Sequence, residues 1–246
     1  MGRTIATLAL QDFDAVFSIV GALEAQGHEA IGRDLAAVLG RSSNLGVKVE
    51  ADARAAMGKG DVLIEFTMPD VTVGHVQLAQ ELRKPMVIGT TGLSETQQAT
   101  LRTVSKTIPI VFSPNMSLGV NVLFELAQLA VQRLGSGYDV EVVESHHHTK
   151  KDAPSGTAKR LAEVIAAARK QPADHIPVHA VRAGDIVGDH TVILAGPSER
   201  LELTHRAHNR DVFARGALKA AQFVVKQQPG LYDMSHVLRS RLEAQG

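Results

Sequence analysis

Three consecutive histidines, His146, His147 and His148, stand just before Lys150 and Lys151 in this 246-residue chain. An imidazole titrates near neutral pH and gives or takes a proton, while a neighbouring ammonium attracts a carboxylate and donates hydrogen bonds to it. Successive strand residues point to opposite faces, so three in a row cannot converge on one ion from a regular strand, and no metal site is expected. A few residues on, Pro154-Ser155-Gly156-Thr157 opens a helix-length segment. The first backbone N–H groups of a helix lack partners within it and carry the positive end of its dipole. Small residues there leave a cradle for an anion. An acid, a cation and an anion cradle in that order fit proton transfer to a small dianionic molecule. Asp152 between them is either a cap or a lysine partner.

A second set has the residue types of a dinucleotide site. Gly89-Thr90-Thr91-Gly92 follows an apolar run and precedes a segment opened by Ser94. Glycine permits backbone to approach a phosphate without a Cβ clash, and the carboxyl end of a parallel strand is where ligands bind an α/β sheet. Ser113, Pro114, Asn115 and Met116 follow the next apolar run and fall on the same rim. Glu24 ends the run Phe17 to Glu24, where an acid accepts hydrogen bonds from an adenosine 2′-hydroxyl. Its neighbour Ala25 offers no cation to a 2′-phosphate, so the site leans towards NADH.

The elements that must hold these residues are legible as patterns. From Phe17 to Arg133, short apolar runs at Phe17–Glu24, Asp61–Phe66, Met86–Gly89 and Ile108–Phe112 alternate with helical spacing at Asp70–Leu82 and Ser94–Lys106. That is the signature of βαβ units around a parallel sheet, and Ser94 with Gln97 predicts a capping box. Beyond it, Tyr138–Glu144, His190–Leu194 and Arg200–Thr204 alternate more fully, with helices over Gly156–Ala168 and Phe213–Lys226 and a bridging helix over Ser117–Leu134. The expected class is therefore α/β: a Rossmann-like parallel-sheet domain plus an α+β substrate and oligomerisation domain with a mixed sheet. The domains should be 1–116, with 227–246 packing back on it, and 117–226. Gln171–Pro177 reads as a loop.

Composition narrows the partners. Apolar residues make up 44% and charged residues 21%, a balance that folds, and 26 basic residues match 26 acidic ones, so no overall field would collect nucleic acid. Zero cysteines rule out thiolate nucleophiles and disulfides. No apolar leader is present and no window approaches the ~20 apolar residues of a membrane span, so a cytoplasmic protein without membrane partners is expected.

The segment Glu141-Val-Val-Glu-Ser-His-His-His-Thr-Lys-Lys-Asp-Ala-Pro-Ser-Gly-Thr-Ala158 resembles the signature of 4-hydroxy-tetrahydrodipicolinate reductases, enzymes of lysine and diaminopimelate biosynthesis. The likeness extends to Val62–Thr67, Gly89–Gly92, Ser113–Val122, Val181–His190, Glu199–His205 and Gly230–Met234. It implies reduction of a cyclic imine acid to tetrahydrodipicolinate with loss of water, at the expense of NADH or NADPH, in a homotetramer built through the second domain. It also implies that His146 is the proton donor or acceptor and Lys150 a second acid. His147, Gly156 and Thr157 would bind the dicarboxylate substrate. Gly89, Thr90, Thr91 and Ser113 to Met116 would line the nicotinamide side, and Glu24 would hold the ribose. Arg210 falls near a position that contacts cofactor or substrate.

Two departures from the family pattern stand out. Members begin with a buried strand and a loop Gly-x-x-Gly-Arg-Met-Gly-Arg, whereas Met1-Gly2-Arg3-Thr4 matches only the tail of that loop, leaving Met1 beside the pyrophosphate position and Thr4–Leu10 as the first helix. Exposed apolar surface is expected where that strand would pack. The link Pro172–Val181 is also shorter than in longer members. The competing reading is a truncated, non-catalytic homologue that binds a dicarboxylate but not the dinucleotide.

Overall fold

The computed structural model describes residues 1–243. In chain order its elements are α1 (Gly2–Gln11), β1 (Ala22–Leu23), α2 (Leu35–Val38), β2 (Val49–Glu50), α3 (Ala53–Lys59), β3 (Leu63–Glu65), α4 (Pro69–Leu82), β4 (Met86–Ile88), α5 (Glu95–Val104) and β5 (Pro109–Phe112). There follow α6 (Leu118–Leu134), β6 (Asp139–His146), α7 (Gly156–Arg169), β7 (Val178–Arg182), β8 (Asp189–Gly196), β9 (Glu199–Arg206), α8 (Asp211–Val224), β10 (Gly230–Tyr232) and α9 (Met234–Glu243). The chain divides into two compact units, Met1–Met116 with Phe213–Gly246, and Ser117–Val212.

The first unit holds a wholly parallel sheet in the order β10-β5-β4-β3. Met86, Val87 and Ile88 of β4 are all inaccessible to solvent, which explains the unbroken apolar run: a parallel strand covered on both faces has no polar side to show. Val76 and Ala79 of α4 and Leu101 and Val104 of α5 pack on Met86, Ile88 and Ile110. The α5 terminus is a capping box, with the Ser94 hydroxyl accepting from Gln97 N–H and the Gln97 side chain accepting from Ser94 N–H. The strand expected over Phe17–Glu24 shrinks to Ala22–Leu23. Its single partner is the two-residue β2, and Phe17 N–H is drawn instead into a turn on the Phe13 carbonyl. This β1–β2 pair is separate from the four-stranded sheet. A groove of about 1880 Å³ runs between them, lined by Ile19, Val20 and Ala22 on one side and Val62, Leu63 and Ile64 on the other.

The returning segment joins the first unit from Phe213 rather than from 227 as expected. The reason is a close approach: α8 turns Ala214, Gly216, Ala217, Leu218, Ala220 and Ala221 inward, and a Cβ on Gly216 would lie 1.7 Å from the Met116 carbonyl oxygen. Downstream, β10 extends the parallel sheet beside β5.

In the second unit β7-β6-β8-β9 form a mixed sheet: β6 and β7 are parallel, the other pairings antiparallel. Val140, Val142, Val192 and Leu194 face α6 and α7 and form a core with Leu123, Val131, Leu161 and Ile165. The intervening residues, including Glu141, Val143 and Ile193, lie on the opposite face, hence the alternation in sequence. Strand β7 occupies the end of the stretch read as a short link. Its pattern carries little apolar signal because it is an edge strand whose His179, Ala180 and Val181 are exposed.

Gly216→Ala should destabilise the protein by about 1–3 kcal/mol or more through overpacking against the Met116 carbonyl. Urea unfolding checks this, the expected result being a lower midpoint at an unchanged slope.

Candidate active site

Strand alternation puts Glu144 and His146 on the same inward face of β6, and the parallel register sets Arg182 of β7 beside His146. Glu144 is fully buried, and each lone-pair position of its carboxylate is used. Oε1 accepts from the Ser155 N–H at 3.1 Å and from Arg182 at 2.8 Å; Oε2 accepts from Arg182 at 3.0 Å and from His146 Nδ1. Burial works to raise the Glu144 carboxyl, but the bonds from Arg182, His146 and Ser155 outweigh it and hold its pKa below the ordinary range. With Glu144 ionised, His146 Nδ1 must carry its hydrogen, so Nε2 is the nitrogen that exchanges a proton. Burial lowers the His146 pKa, opposed by Glu144 and aided by Lys150 and Arg182.

The three histidines part company at the end of β6. His146 is buried, and its backbone carbonyl accepts from Ala183 N–H. His147 Nδ1 meets the Thr149 hydroxyl at 2.6 Å, and the exposed His148 donates from Nδ1 to the Gly184 carbonyl at 2.8 Å. Lys150 Nζ lies 2.7 Å from Asp152, so Asp152 is the lysine partner, and this pairing lowers its pKa. The cap of α7 is Ser155, whose hydroxyl accepts from Ala158 N–H at 3.2 Å. Gly156 and Thr157 form the first turn of α7. The second unit thus gathers His146, Lys150 and the start of α7 around one buried carboxylate. His190 completes the cluster from β8: its ring sits edge-on to His146 with centroids 5.2 Å apart, and Nε2 is 3.3 Å from the Ser155 hydroxyl. Burial first, then the charge of His146, pushes the His190 pKa down to about 3.

In the first unit, Met1 and Glu24 both line the groove, Glu24 at the carboxyl end of β1 and exposed. Phe66 and Thr67, not singled out in sequence, line it too. Gly89, Thr90 and Thr91 follow β4, and Ser113, Pro114, Asn115 and Met116 follow β5, on the expected rim. Neither set borders the groove. Thr91 and Pro114 are exposed, whereas Thr90, Ser113, Asn115 and Met116 are buried. Gly89 is constrained by its neighbour: a Cβ there would meet the Phe66 ring at 2.3 Å. The Thr90 hydroxyl is tied to Thr72 at 2.8 Å. Nearby, Glu65 accepts from His75 at 2.7 Å and from Thr67 N–H at 3.0 Å, bonds that overcome the effect of burial and keep its carboxyl below the ordinary range.

Sequence reasoning also missed Arg182 and His190 as site residues and gave Glu144 no role. The i, i+2 spacing of Glu144 and His146 was an available signal. Arg182 had none until β7 was known to pair with β6.

A parallel sheet in one unit and a mixed sheet in the other define a two-part α/β fold. Two family profiles match the chain, the dihydrodipicolinate reductase N-terminus over residues 1–116 and its C-terminus over residues 119–238. The chain belongs to the dihydrodipicolinate reductase family. Relatives from Syntrophus aciditrophicus and Polynucleobacter necessarius, both named 4-hydroxy-tetrahydrodipicolinate reductase, are each 42% identical over 258 residues. The alignments cover 98% of this chain and 95% and 96% of those relatives. Like them, this chain is a reductase. Among solved structures, a dipicolinate-bound dihydrodipicolinate reductase from Paenisporosarcina sp. TG-14 shares its fold, with a TM-score of 0.73 and 24% identity, covering 94% of this chain and 93% of that one. An amine dehydrogenase from Mycobacterium smegmatis follows it, with a TM-score of 0.63 and 14% identity, covering 94% and 91%.

The His190 shift has a stability consequence with a definite sign. Between pH 6.5 and about 3 the unfolded chain binds a proton at His190 that the folded chain does not, so stability falls on acidification through this window. In chemical denaturation at pH 7.5 and 5.0, His190→Gln should lose about 2 kcal/mol less than the parent protein over the same pH step.

Proposed function

We propose that this protein reduces 4-hydroxy-tetrahydrodipicolinate to tetrahydrodipicolinate: water leaves, and a hydride and a proton are added to the unsaturated ring. The observation that carries the reading is the Glu144-oriented His146, with Lys150 and the start of α7 in the same cluster. The first unit holds a reduced pyridine nucleotide, which supplies the hydride when bound. The fit rests on the groove: its lining includes Met1 at the N-cap of α1, where no side chain caps the helix, Arg3, and Glu24 for a ribose diol. Ala25 beside Glu24 offers no charge to a 2′-phosphate, which favours NADH over NADPH. The nicotinamide end lies past the groove's own lining, at the rim formed by Gly89, Thr90, Thr91 and Ser113 to Met116 after β4 and β5.

The second unit does the proton chemistry. Lys150 and the first turn of α7, Gly156 and Thr157, take the substrate carboxylates, with His147 at the edge. Lys150 must exchange Asp152 for the substrate to do so. Two incoming carboxylates make the surroundings of His146 more negative and raise its proton affinity, so His146 acquires its proton as the substrate arrives and delivers it from Nε2. The open sheet face bearing Val143, Val181 and Ile193 supports a homotetramer assembled through this unit, and the cytoplasm is its setting. The dipicolinate held by the Paenisporosarcina reductase supports a planar dicarboxylate as the ligand class.

The test is a spectrophotometric assay of NADH loss with enzymatically generated substrate. His146→Gln should lower kcat at least ~100-fold, and Lys150→Ala should weaken dipicolinate ~10- to 100-fold, the worth of a charge-assisted contact. Full turnover in the first variant with unchanged dipicolinate affinity in the second would overturn the assignment. Dipicolinate binding by the parent protein without any NADH oxidation would favour the non-catalytic reading.

A further inference from the structure

The Arg182 guanidinium reaches both halves of the proton-transfer cluster. Through Nη1 and Nη2 it grips the two oxygens of Glu144, which in turn holds His146 Nδ1. Through Nη2 it also donates to the Asp152 carbonyl at 2.5 Å, and the side chain of the same Asp152 holds Lys150 Nζ. The acid and the cation sit four residues apart on a segment that leaves regular structure after His146. Backbone bonds tie it down at the near end, from Ala183 to the His146 carbonyl and from His148 to the Gly184 carbonyl. At the far end, Ser155 N–H is tied to Glu144. Between these ends, Arg182 bonds the Asp152 carbonyl from the neighbouring strand.

We propose that Arg182 and Glu144 are the positioning pair of this enzyme: one guanidinium, acting through Glu144 on His146 and through the Asp152 backbone carbonyl on the segment that carries Lys150, fixes where acid and cation stand relative to each other. Neither residue is the acid itself. The proposal rests on the reading of His146 as the proton donor. The geometry is that of a relay: a bidentate fork orients the carboxylate, the carboxylate orients the imidazole, and Nε2 is left for exchange. A lysine in place of Arg182 could not make all three bonds, because an ammonium lacks the planar fork.

The charges around His146 make the pair separable from ordinary scaffolding. Glu144 lies on its own strand, Arg182 on β7, His190 on β8 and Lys150 on the following segment. His190 is neutral at neutral pH. Glu144 favours the imidazolium, whereas Arg182 and Lys150 oppose it. Glu144→Gln must therefore move the His146 titration towards acid, and Arg182→Met must move it towards alkali. Simple loosening of the fold predicts no such opposition.

The measurement is an NMR titration of ring-15N-labelled histidine in the full-length protein, with His146 assigned by its loss in His146→Gln. The expected result is displacement of the His146 midpoint in opposite directions by about half a pH unit or more in the two variants. Arg182→Lys is the milder variant should either of these fail to fold. It keeps the charge but breaks the fork, and it should speed solvent exchange of the His146 Nδ1 hydrogen at least severalfold. Midpoints that stay put or move together, or an Nδ1 hydrogen as protected in Arg182→Lys as in the parent, would overturn the proposal. Because the titration follows the ring rather than turnover, it is read whether or not the substrate assignment holds. Loss of that assignment shows instead as His146→Gln with full activity.

Discussion

A carboxylate removed wholly from water costs several kcal/mol unless donors replace its hydration. Glu144 meets that condition with a guanidinium, an imidazole and a backbone amide, and most of the second unit is arranged by the need to bring them together. Strand β6 supplies the carboxylate and the imidazole two residues apart, β7 pairs in parallel so that Arg182 arrives alongside, and α7 starts where Ser155 N–H can reach Oε1. The Ser155 hydroxyl caps that same helix and approaches His190, so one residue links the helix start to the buried ring pair. The start of α7 and His146 therefore share one support, the Glu144 carboxylate.

Formal charge within the cluster cancels. Glu144 and Asp152 oppose Arg182 and Lys150, and the two buried histidines are held towards their neutral forms. The two ion pairs differ in how easily they are broken. The Arg182–Glu144 pair is shielded, while Asp152 is more than half exposed where it meets Lys150. An exposed ion pair contributes little, of the order of 0–1 kcal/mol, so breaking it costs the cluster little.

Much of this was legible in the sequence, and what was not has physical causes. Parallel strands buried on both faces announce themselves as apolar runs, which is why β3, β4 and β5 were placed well, and the Ser94–Gln97 box is a local signal that needs no tertiary context. The strand at Phe17–Glu24 was overextended because an apolar run reads alike whether it is paired or lines a groove. Edge strand β7 was missed because exposed residues carry no hydrophobic period, and with it went Arg182, whose role depends on register. Gly89 has a further local reason that no sequence pattern announces: the space a Cβ would fill is taken by Phe66. The family resemblance singled out His146 and Lys150; the geometry adds that, of the three histidines, His146 is the one held by the buried Glu144.

The two units also differ in how they can be finished as the chain is made. Residues 117–212 are contiguous, so every strand and helix of the second unit has left the ribosome before α8 has. The first unit must wait, because β10 adds to β5 across more than a hundred residues and α8 seats its glycine against the Met116 carbonyl. Closing that long loop is an entropic burden that an already folded insert shortens, since a compact unit holds its own ends in place. Synthesis from the amino end thus lets the mixed-sheet unit mature first and shorten the loop that the parallel-sheet unit must still close.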